Sequence, residues 1–214
     1  MIAENLNKVL NTIPSEVTLV AVSKTKPNSA IIEAYESGQR VFGENKVQDM
    51  AAKAEALPKD IQWHMIGHLQ GNKVKYIASF VSLIHGIDSL KLLKEVNKRA
   101  AQNDRVIDCL LQIHIAQEET KFGLDKSEAQ AVISIAEDLK NIRIVGLMGM
   151  ATNTSDEAQV RKEFAGLKDL SVKLKTENCQ LTIVSMGMSG DYLLAIKEGS
   201  TMVRVGSAIF GARN

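Results

Sequence analysis

A lysine at the end of an apolar run is the first residue of this sequence that could do covalent chemistry. The stretch "TLVAVSKTKP", residues 18–27, reads as a short strand that leads to Lys24 and Lys26. The two-residue period of a strand puts Lys24 on the same side of the chain as Val22. If that side is buried, the amine loses hydration, its pKa falls, and the neutral amine becomes a nucleophile toward an aldehyde or ketone. We therefore predict Schiff-base chemistry at Lys24, against the alternative of a lysine that extends into water.

Glycine and serine residues in the last part of the chain could bind an anion. They occur in "SMGMSGD" (185–191) and "RVGSAIFG" (204–211), which follow the last two predicted strands. Glycines let backbone N–H groups turn toward an anion, serine hydroxyls add donors, and a helix beginning nearby would point its N-terminus at the charge. Ordinary turn chemistry is the alternative. The predicted phosphate cradle consists of Gly187, Ser189, Gly206 and Ser207.

Arg204 is a cation inside the last predicted strand, so it must be paired or bound to something. A salt bridge to a carboxylate of the same sheet is one possibility. The other is a ligand, because a reactive lysine, a phosphate site and an arginine together describe a pocket for an aldehyde that carries a phosphate. Pyridoxal 5′-phosphate (PLP) fits that description.

Short apolar runs, each bounded by polar or glycine-rich residues, predict eight strands. Between them lie segments with helical spacing, such as the one that puts Leu93, Val96 and Ala100 on one face. Several runs, "CLLQIHI" among them, are continuously apolar, which is typical of a parallel sheet covered by helices. The predicted strands are Leu19–Val22, Val41–Phe42, Trp63–Ile66, Val81–Ile84, Val106–Ile115, Ile142–Met148, Leu181–Val184 and Met202–Val205.

Eight alternating strand–helix units predict an α/β protein with a single (β/α)8 TIM barrel. The 214 residues lie near the lower end of the roughly 200 to 400 that such barrels occupy, so we predict one domain, residues 1–214. A doubly wound open sheet would show the same alternation, but the glycine fingerprint of a dinucleotide site is missing after the first strand. In a barrel the chemistry lies at the carboxyl ends of the strands, where Lys24 follows the first of them.

Composition narrows the expected partners and compartment. With 26 basic and 25 acidic side chains, the chain has no overall field to attract nucleic acid or an anionic membrane, so we expect a small-molecule partner. No window reaches the roughly 18 consecutive apolar residues of a membrane helix. Cys109 and Cys179 form no CxxC pair and read as buried free thiols of a reduced compartment. We therefore expect a cytoplasmic protein.

Histidines and methionines near the predicted strand ends are weaker candidates. His64 and His68 in "WHMIGH" lie about 13 Å apart if the chain is extended, so they cannot share one metal ion and no metal site is predicted. His85 and His114 are expected to be ordinary interior histidines. Met188 could pack against a cofactor ring, although core filling is the commoner role of a methionine.

Five stretches of the sequence closely resemble the pyridoxal-phosphate homeostasis protein family. The resemblance runs from Leu19 to Arg213, and its last stretch is long enough to be highly specific. It implies the PLP-binding barrel of the alanine racemases (fold type III) without their C-terminal β domain. The stretches are "AVSKTKP", "FGENKVQ", "WHMIGHLQGNKVKYI", "GLMGM" and "SMGMSGDYLLAIKEGSTMVRVGSAIFGAR".

The resemblance also implies a set of cofactor-binding residues. Lys24 would hold the cofactor as an internal aldimine, and Arg204 would contact its pyridine nitrogen. Comparison with the alanine racemases adds Asn45 and Lys121 as pocket residues; a helix N-cap and a solvated loop lysine are the respective alternatives. The residues implied for the phosphate are Ser185, Ser189, Gly206 and Ser207.

These observations predict a protein that binds PLP through Lys24 and takes part in intracellular vitamin B6 and amino-acid homeostasis, without a dedicated reaction. A protonated arginine leaves the pyridine nitrogen unprotonated, and the ring is then a poor electron sink. PLP-requiring apoenzymes are possible recipients, and we expect a monomer. A weak amino-acid racemase and a lysine-dependent sugar-phosphate aldolase are the competing hypotheses; the absence of the racemases' C-terminal domain argues against the first.

Overall fold

Eight parallel strands form a closed barrel in the computed structural model of the chain, which describes residues 1–117 and 122–212. Each strand pairs with its neighbour along the chain, and β1 pairs with β8 to close the ring. The predicted (β/α)8 barrel is therefore confirmed. The strands are β1 Thr18–Val22, β2 Val41–Glu44, β3 Gln62–Met65, β4 Leu83–Ile87, β5 Ile107–Gln112, β6 Ile142–Met148, β7 Ile183–Ser185 and β8 Met202–Val205.

Helices alternate with the strands and cover the outside of the barrel. Several begin at side-chain caps: Ser89 caps α4, and Asp125 forms a capping box with Glu128 at the start of α5. A 3₁₀ helix, Gly71–Tyr76, connects β3 to β4. The α-helices are α1 Ile2–Leu10, α2 Asn28–Glu36, α3 Val47–Ala56, α4 Leu90–Ala101, α5 Lys126–Ala136, α6 Glu157–Lys173, α7 Tyr192–Lys197 and α8 Ser207–Phe210.

The apolar side chains form two cores. The larger core lies between the sheet and the helices and includes the fully buried Phe42 and Phe164. The smaller core fills the barrel interior, where Val20, Leu110 and Met148 pack together. Because Val20 faces this interior, the strand period also turns Val22 inward, which is the condition for Lys24 to face the mouth of the barrel.

The predicted strand positions differ from the observed ones most at β4 and at β5, where the strand ends at Gln112 and not at the predicted Ile115. The apolar run predicted Val81–Ile84, whereas the strand runs from Leu83 to Ile87. The strand thus includes His85 and Gly86, a polar and a flexible residue that both weaken the sequence signal for a strand.

Both cysteines are free and buried, as predicted. Burial raises the pKa of the Cys109 thiol, with a smaller contribution from the nearby carboxylate of Asp108. Within the described ranges, no helix combines the length and the apolar character that crossing a membrane requires.

Candidate functional site

A cavity of about 470 Å³ lies at the carboxyl ends of the strands, where a (β/α)8 barrel carries its chemistry. It brings together most of the residues that the sequence singled out, although these come from four different strand–helix loops or strand ends. The predicted residues that line it are Lys24, Asn45, Met188, Ser189, Arg204, Gly206 and Ser207.

Lys24 lies in a tight turn that follows β1, and its side chain is half-buried. The N–H of Lys26 donates to the carbonyl of Ser23 over 3.0 Å and closes the turn. Thr25 has a φ of 65° at the third position of this turn, where Gly or Asn is the usual residue. The turn therefore holds Lys24 toward the cavity at some conformational cost, because a β-branched residue is rare at positive φ.

Lys26 also lines the cavity, but its amine binds the end of the chain. Its Nζ donates to the carbonyls of Phe210, Gly211 and Ala212 over 3.0, 3.3 and 3.1 Å. A cation at the carboxyl end of a helix is favourable because the last carbonyls there lack intrahelical donors. Lys26 thereby links the Lys24 turn to α8.

Arg204 forms part of the cavity wall and is 5% exposed. Its guanidinium donates to the Ser185 carbonyl over 2.9 Å, to the Ser185 hydroxyl over 2.7 Å and to the Gly149 carbonyl over 3.2 Å. Burial lowers the pKa of Arg204 to about 10, opposed by the charge of Asp191, so the group stays cationic at neutral pH. Within residues 1–117 and 122–212 it forms no ion pair, which leaves the salt-bridge alternative without support.

A chain of buried polar groups continues from Arg204 into the barrel interior. The Ser185 hydroxyl is 3.1 Å from His85 Nδ1, and His85 Nε2 is 3.1 Å from His64 Nδ1. Burial lowers the pKa of His64 to about 3. Burial, followed by the neighbouring His64 and the charge of Arg204, lowers the pKa of His85 well below its ordinary value. Both imidazoles are therefore neutral at physiological pH.

The anion-binding end of the cavity is formed by the loops that follow β7 and β8. The Ser189 hydroxyl accepts the Gly206 N–H over 3.1 Å and joins the two loops. That hydroxyl can still donate its own proton. The Ser207 N–H belongs to the first turn of α8, where amides lack intrahelical acceptors.

Two glycines allow the close backbone contacts that shape the cavity. A Cβ on Gly67 would lie 2.5 Å from the Asn45 carbonyl oxygen, so only glycine permits this approach of the β2 and β3 ends. Gly187 has a φ of 94°, and a Cβ there would lie 2.6 Å from that of Ala195. Asn45 is not a helix cap, because Lys46 is the N-cap of α3.

The charges that line the cavity are of one sign. Lys24, Lys26 and Arg204 contribute cations, and no Asp or Glu of the described residues lines it. A cavity with low-dielectric walls focuses such a field and favours an anion. A phosphate-bearing aldehyde would find here an amine, a buried guanidinium and hydroxyl and backbone donors.

Two predicted residues stand apart from the cavity lining, and a third is not among the described residues. Ser185 is fully buried behind Arg204, which its hydroxyl and carbonyl contact. Gly187 shapes the loop after β7 without lining the cavity. Lys121 lies outside the described residues.

The sequence reasoning missed several residues of the cavity wall. Ile66 and Gln112 lie at the ends of β3 and β5, and an inspection of every strand end would have found them. Phe122 gave no signal: it is 63% exposed and stacks on His68 with ring centres 5.2 Å apart. His68 in turn forms a 3.1 Å contact with Asp88 at the cavity rim.

Comparison with known proteins shows a match along the whole chain. The family model "Alanine racemase, N-terminal domain" matches residues 1–214. A pyridoxal phosphate homeostasis protein of Aquifex aeolicus is 41% identical over 197 residues, which cover 91% of this chain and 86% of that protein. The protein of the same name from Escherichia coli is 38% identical over 208 residues, covering 94% and 88%.

Solved structures agree with these sequence matches. PipY of Synechococcus elongatus, solved without PLP, superimposes with a TM-score of 0.94 at 36% identity and covers 99% of this chain and 100% of that chain. PipY with PLP bound superimposes with a TM-score of 0.91. An alanine racemase from Clostridium difficile shares the fold with a TM-score of 0.81 at 15% identity; the match covers 99% of this chain but 56% of that one.

Proposed function

This chain belongs to the alanine racemase N-terminal domain family, and we propose that it is a PLP-binding protein of intracellular vitamin B6 homeostasis. Relatives that share about two fifths of its residues carry the name pyridoxal phosphate homeostasis protein. PipY, which has nearly the same fold, binds PLP. Both findings support the same ligand for the cavity described above.

The observation that carries this proposal is the convergence of Lys24 and Arg204 on one cationic cavity. The residues present fit PLP. Lys24 offers an amine for the aldehyde, Arg204 offers N–H donors for the ring nitrogen, and Ser189, Gly206 and Ser207 offer donors for the phosphate. Bound PLP supplies an electrophilic aldehyde conjugated to a pyridine ring.

The same residues favour holding the cofactor over using it in a dedicated reaction. Arg204 stays cationic and donates, so it does not protonate the ring nitrogen that faces it. Behind Arg204 the hydrogen-bond chain contains only a serine and two neutral histidines. Among the described residues, this part of the wall thus supplies no acid to the ring nitrogen, and the strong electron withdrawal that amino-acid chemistry needs is weakened.

We further propose that the protein acts as a monomer in the cytoplasm and passes PLP to apoenzymes that require it. Phe122 and Met188 line the cavity and are 63% and 42% exposed, which leaves an accessible apolar rim. A bound aldehyde in such a cavity remains within reach of another amine, which can take it over. Sedimentation equilibrium of the protein with and without PLP tests the monomer; a stable dimer would contradict it.

The first testable prediction concerns covalent binding at Lys24. On addition of PLP, the protein should gain a visible absorption band that borohydride abolishes, leaving a phosphopyridoxyl group on Lys24. Lys24→Ala should lose the reducible band, because the amine that would bond to the aldehyde is removed. Absorption spectroscopy followed by peptide mass spectrometry measures both results.

Lys26→Met is the matched control for this experiment. It removes a second amine from the same cavity but leaves Lys24 in place, so the adduct on Lys24 should persist. A wild-type protein that stays colourless and unmodified with PLP would refute the proposed function. An adduct that maps to Lys26 or to another lysine would refute the assignment of Lys24.

A further inference from the structure

A buried ion pair lies directly behind the turn that carries Lys24. Glu44, the last residue of β2, is fully buried, and its Oε1 accepts from Lys53 Nζ of α3 over 2.7 Å. The Lys53 side chain is itself 10% exposed. Neither residue lines the cavity, so neither can touch a ligand there.

This ion pair holds the residue that precedes Lys24. The Ser23 hydroxyl donates to the same Glu44 Oε1 over 2.6 Å, and Lys53 Nζ donates to the Ser23 carbonyl over 2.9 Å. The hydroxyl and the carbonyl of Ser23 are therefore both fixed by charged partners. Hydrogen bonds of this kind are short and roughly twice as strong as those between neutral groups.

Stability alone does not explain the ion pair. Taking two charges out of water costs about as much as their attraction returns, and well-packed apolar residues in their place are often neutral or stabilising. Glu44 Oε2 adds to the cost, because it is buried without a hydrogen-bond partner among the described residues. The ion pair must therefore have a role other than stabilising the fold.

The strained turn that carries Lys24 indicates this role, because the ion pair holds the first residue of the turn. The Ser23 carbonyl accepts from Lys53 and also from the Lys26 N–H that closes the turn, while Thr25 is held at a φ of 65°. A non-glycine residue in this region is strained and persists only where its surroundings hold it. Fixing Ser23 fixes the start of the turn, and with it the backbone position from which the Lys24 side chain extends.

We propose that Glu44 and Lys53 are positioning residues for Lys24: their buried ion pair fixes Ser23 so that the Lys24 amine meets the ligand's aldehyde in a reactive geometry. This inference rests on the proposed function. In the step concerned, the neutral amine adds to the aldehyde carbon, a carbon–nitrogen double bond forms, and the aldehyde oxygen leaves as water. Such a step is sensitive to position, since a misplacement of 1 Å can lower a rate by about a hundredfold.

The test replaces the ion pair by apolar residues of similar length in the double variant Glu44→Leu/Lys53→Met. The melting temperature reports whether the double variant folds, since the buried Ser23 hydroxyl loses its acceptor in it. The rate of covalent capture of PLP, followed by the visible band after rapid mixing, should fall at least about tenfold because Lys24 is no longer fixed. Affinity for pyridoxine 5′-phosphate, which has an alcohol in place of the aldehyde, should change less than about twofold because it needs no bond to Lys24.

Two further variants complete the design. Asp108→Leu/Arg143→Met removes a more exposed ion pair remote from the cavity and should leave both ligands unaffected. Ser23→Ala removes only the hydroxyl contact to Glu44 and leaves the contact of Lys53 to the Ser23 carbonyl, so it should slow capture by about threefold, less than the double variant does. If the double variant does not fold, the capture rate of Ser23→Ala tests the positioning role in its place.

The outcomes separate this inference from the proposed function. A wild-type protein that does not capture PLP refutes the function itself. Wild-type capture together with an equal rate in the folded double variant, or in Ser23→Ala if the double variant does not fold, refutes only the positioning role. A parallel loss of PLP capture and pyridoxine 5′-phosphate binding also refutes it, because the ion pair would then support the whole cavity and not Lys24 in particular.

Discussion

At the scale of single residues, Arg204 determines the direction of the hydrogen bonds behind the cavity. A guanidinium can only donate, so the Ser185 hydroxyl accepts from it and turns its own proton toward His85 Nδ1. His85 must then carry its proton on Nε2 and donate it to His64 Nδ1, and His64 carries its own proton on Nε2. The hydrogen bonds behind Arg204 thus all run in one direction, and both imidazoles are neutral. The Ser185 hydroxyl is therefore fixed as an acceptor for Arg204.

This direction predicts the tautomers of the two histidines. In ¹⁵N-labelled protein, the imidazole signals of His64 and His85 should both be those of the neutral Nε2–H form. They should keep that form between pH 8 and pH 5, since burial lowers the pKa of His64 to about 3 and that of His85 well below its ordinary value. The spectrum of His85→Gln assigns the signals. A charged imidazole at either position, or an Nδ1–H form of His85, would contradict the hydrogen-bond chain.

The sequence predicts the residues that end strands better than those that lie behind or above the cavity. Lys24 and Arg204 are predicted because a charged residue at the end of an apolar run, or inside one, is visible in one dimension. The contact between Ser185 and His85 joins residues from separate strands, and only closure of the barrel brings them together. Phe122 reaches the cavity from a loop, for which strand periodicity gives no information.

At the scale of elements, glycines determine how closely neighbouring strands and loops approach. Gly86 lies inside β4, and a Cβ there would lie 2.9 Å from the Gly67 carbonyl oxygen. The same glycine interrupts the apolar run, so the sequence predicts a fourth strand at Val81–Ile84. In the structure the strand continues to Ile87. A residue needed for close packing in three dimensions reads in one dimension as a strand breaker.

Gly187 gives a prediction for the loop between β7 and α7. Gly187→Ala should lower the free energy of unfolding by about 2 kcal/mol or more, because it combines an unfavourable φ of 94° with a Cβ 2.6 Å from that of Ala195. Urea unfolding measures the change.

Gly166→Ala is the matched control. Gly166 lies within α6, and a Cβ there meets nothing within 4 Å, so the substitution should raise stability by up to about 1 kcal/mol through helix propensity. Equal effects of the two substitutions would contradict the packing described for Gly187.

At the scale of the whole molecule, the interior of the barrel couples stability to acid. The folded protein holds His64 and His85 neutral, with the pKa of His64 lowered to about 3 from an ordinary value of 6.5. The unfolded chain therefore binds protons below about pH 6.5 that the folded chain excludes. Stability contributed by these groups is fully present above pH 6.5 and is lost as the pH falls toward 3.

Denaturant unfolding at pH 7, 6, 5 and 4 checks this coupling. The free energy of unfolding should fall with acidity, and the fall should be shallower in His85→Gln, where one excluded proton site is missing. His64 and Arg204 face His85 in the parent and remain in the variant, so the difference between the two curves isolates His85. Parallel curves would mean that His85 is already charged in the folded protein.

The pairing of β1 with β8 also determines at which stage of synthesis the site can form. Val20 lies beside Arg204 and Ala21 beside Val205, so Lys24 and Arg204 come from the two strands that meet last as the chain is synthesised. A growing chain on the ribosome displays Lys24 early but has no Arg204 and no cationic cavity around it. Under the proposed function, the cavity that binds the aldehyde therefore forms only after β8 has been synthesised, because Arg204 lies in that strand.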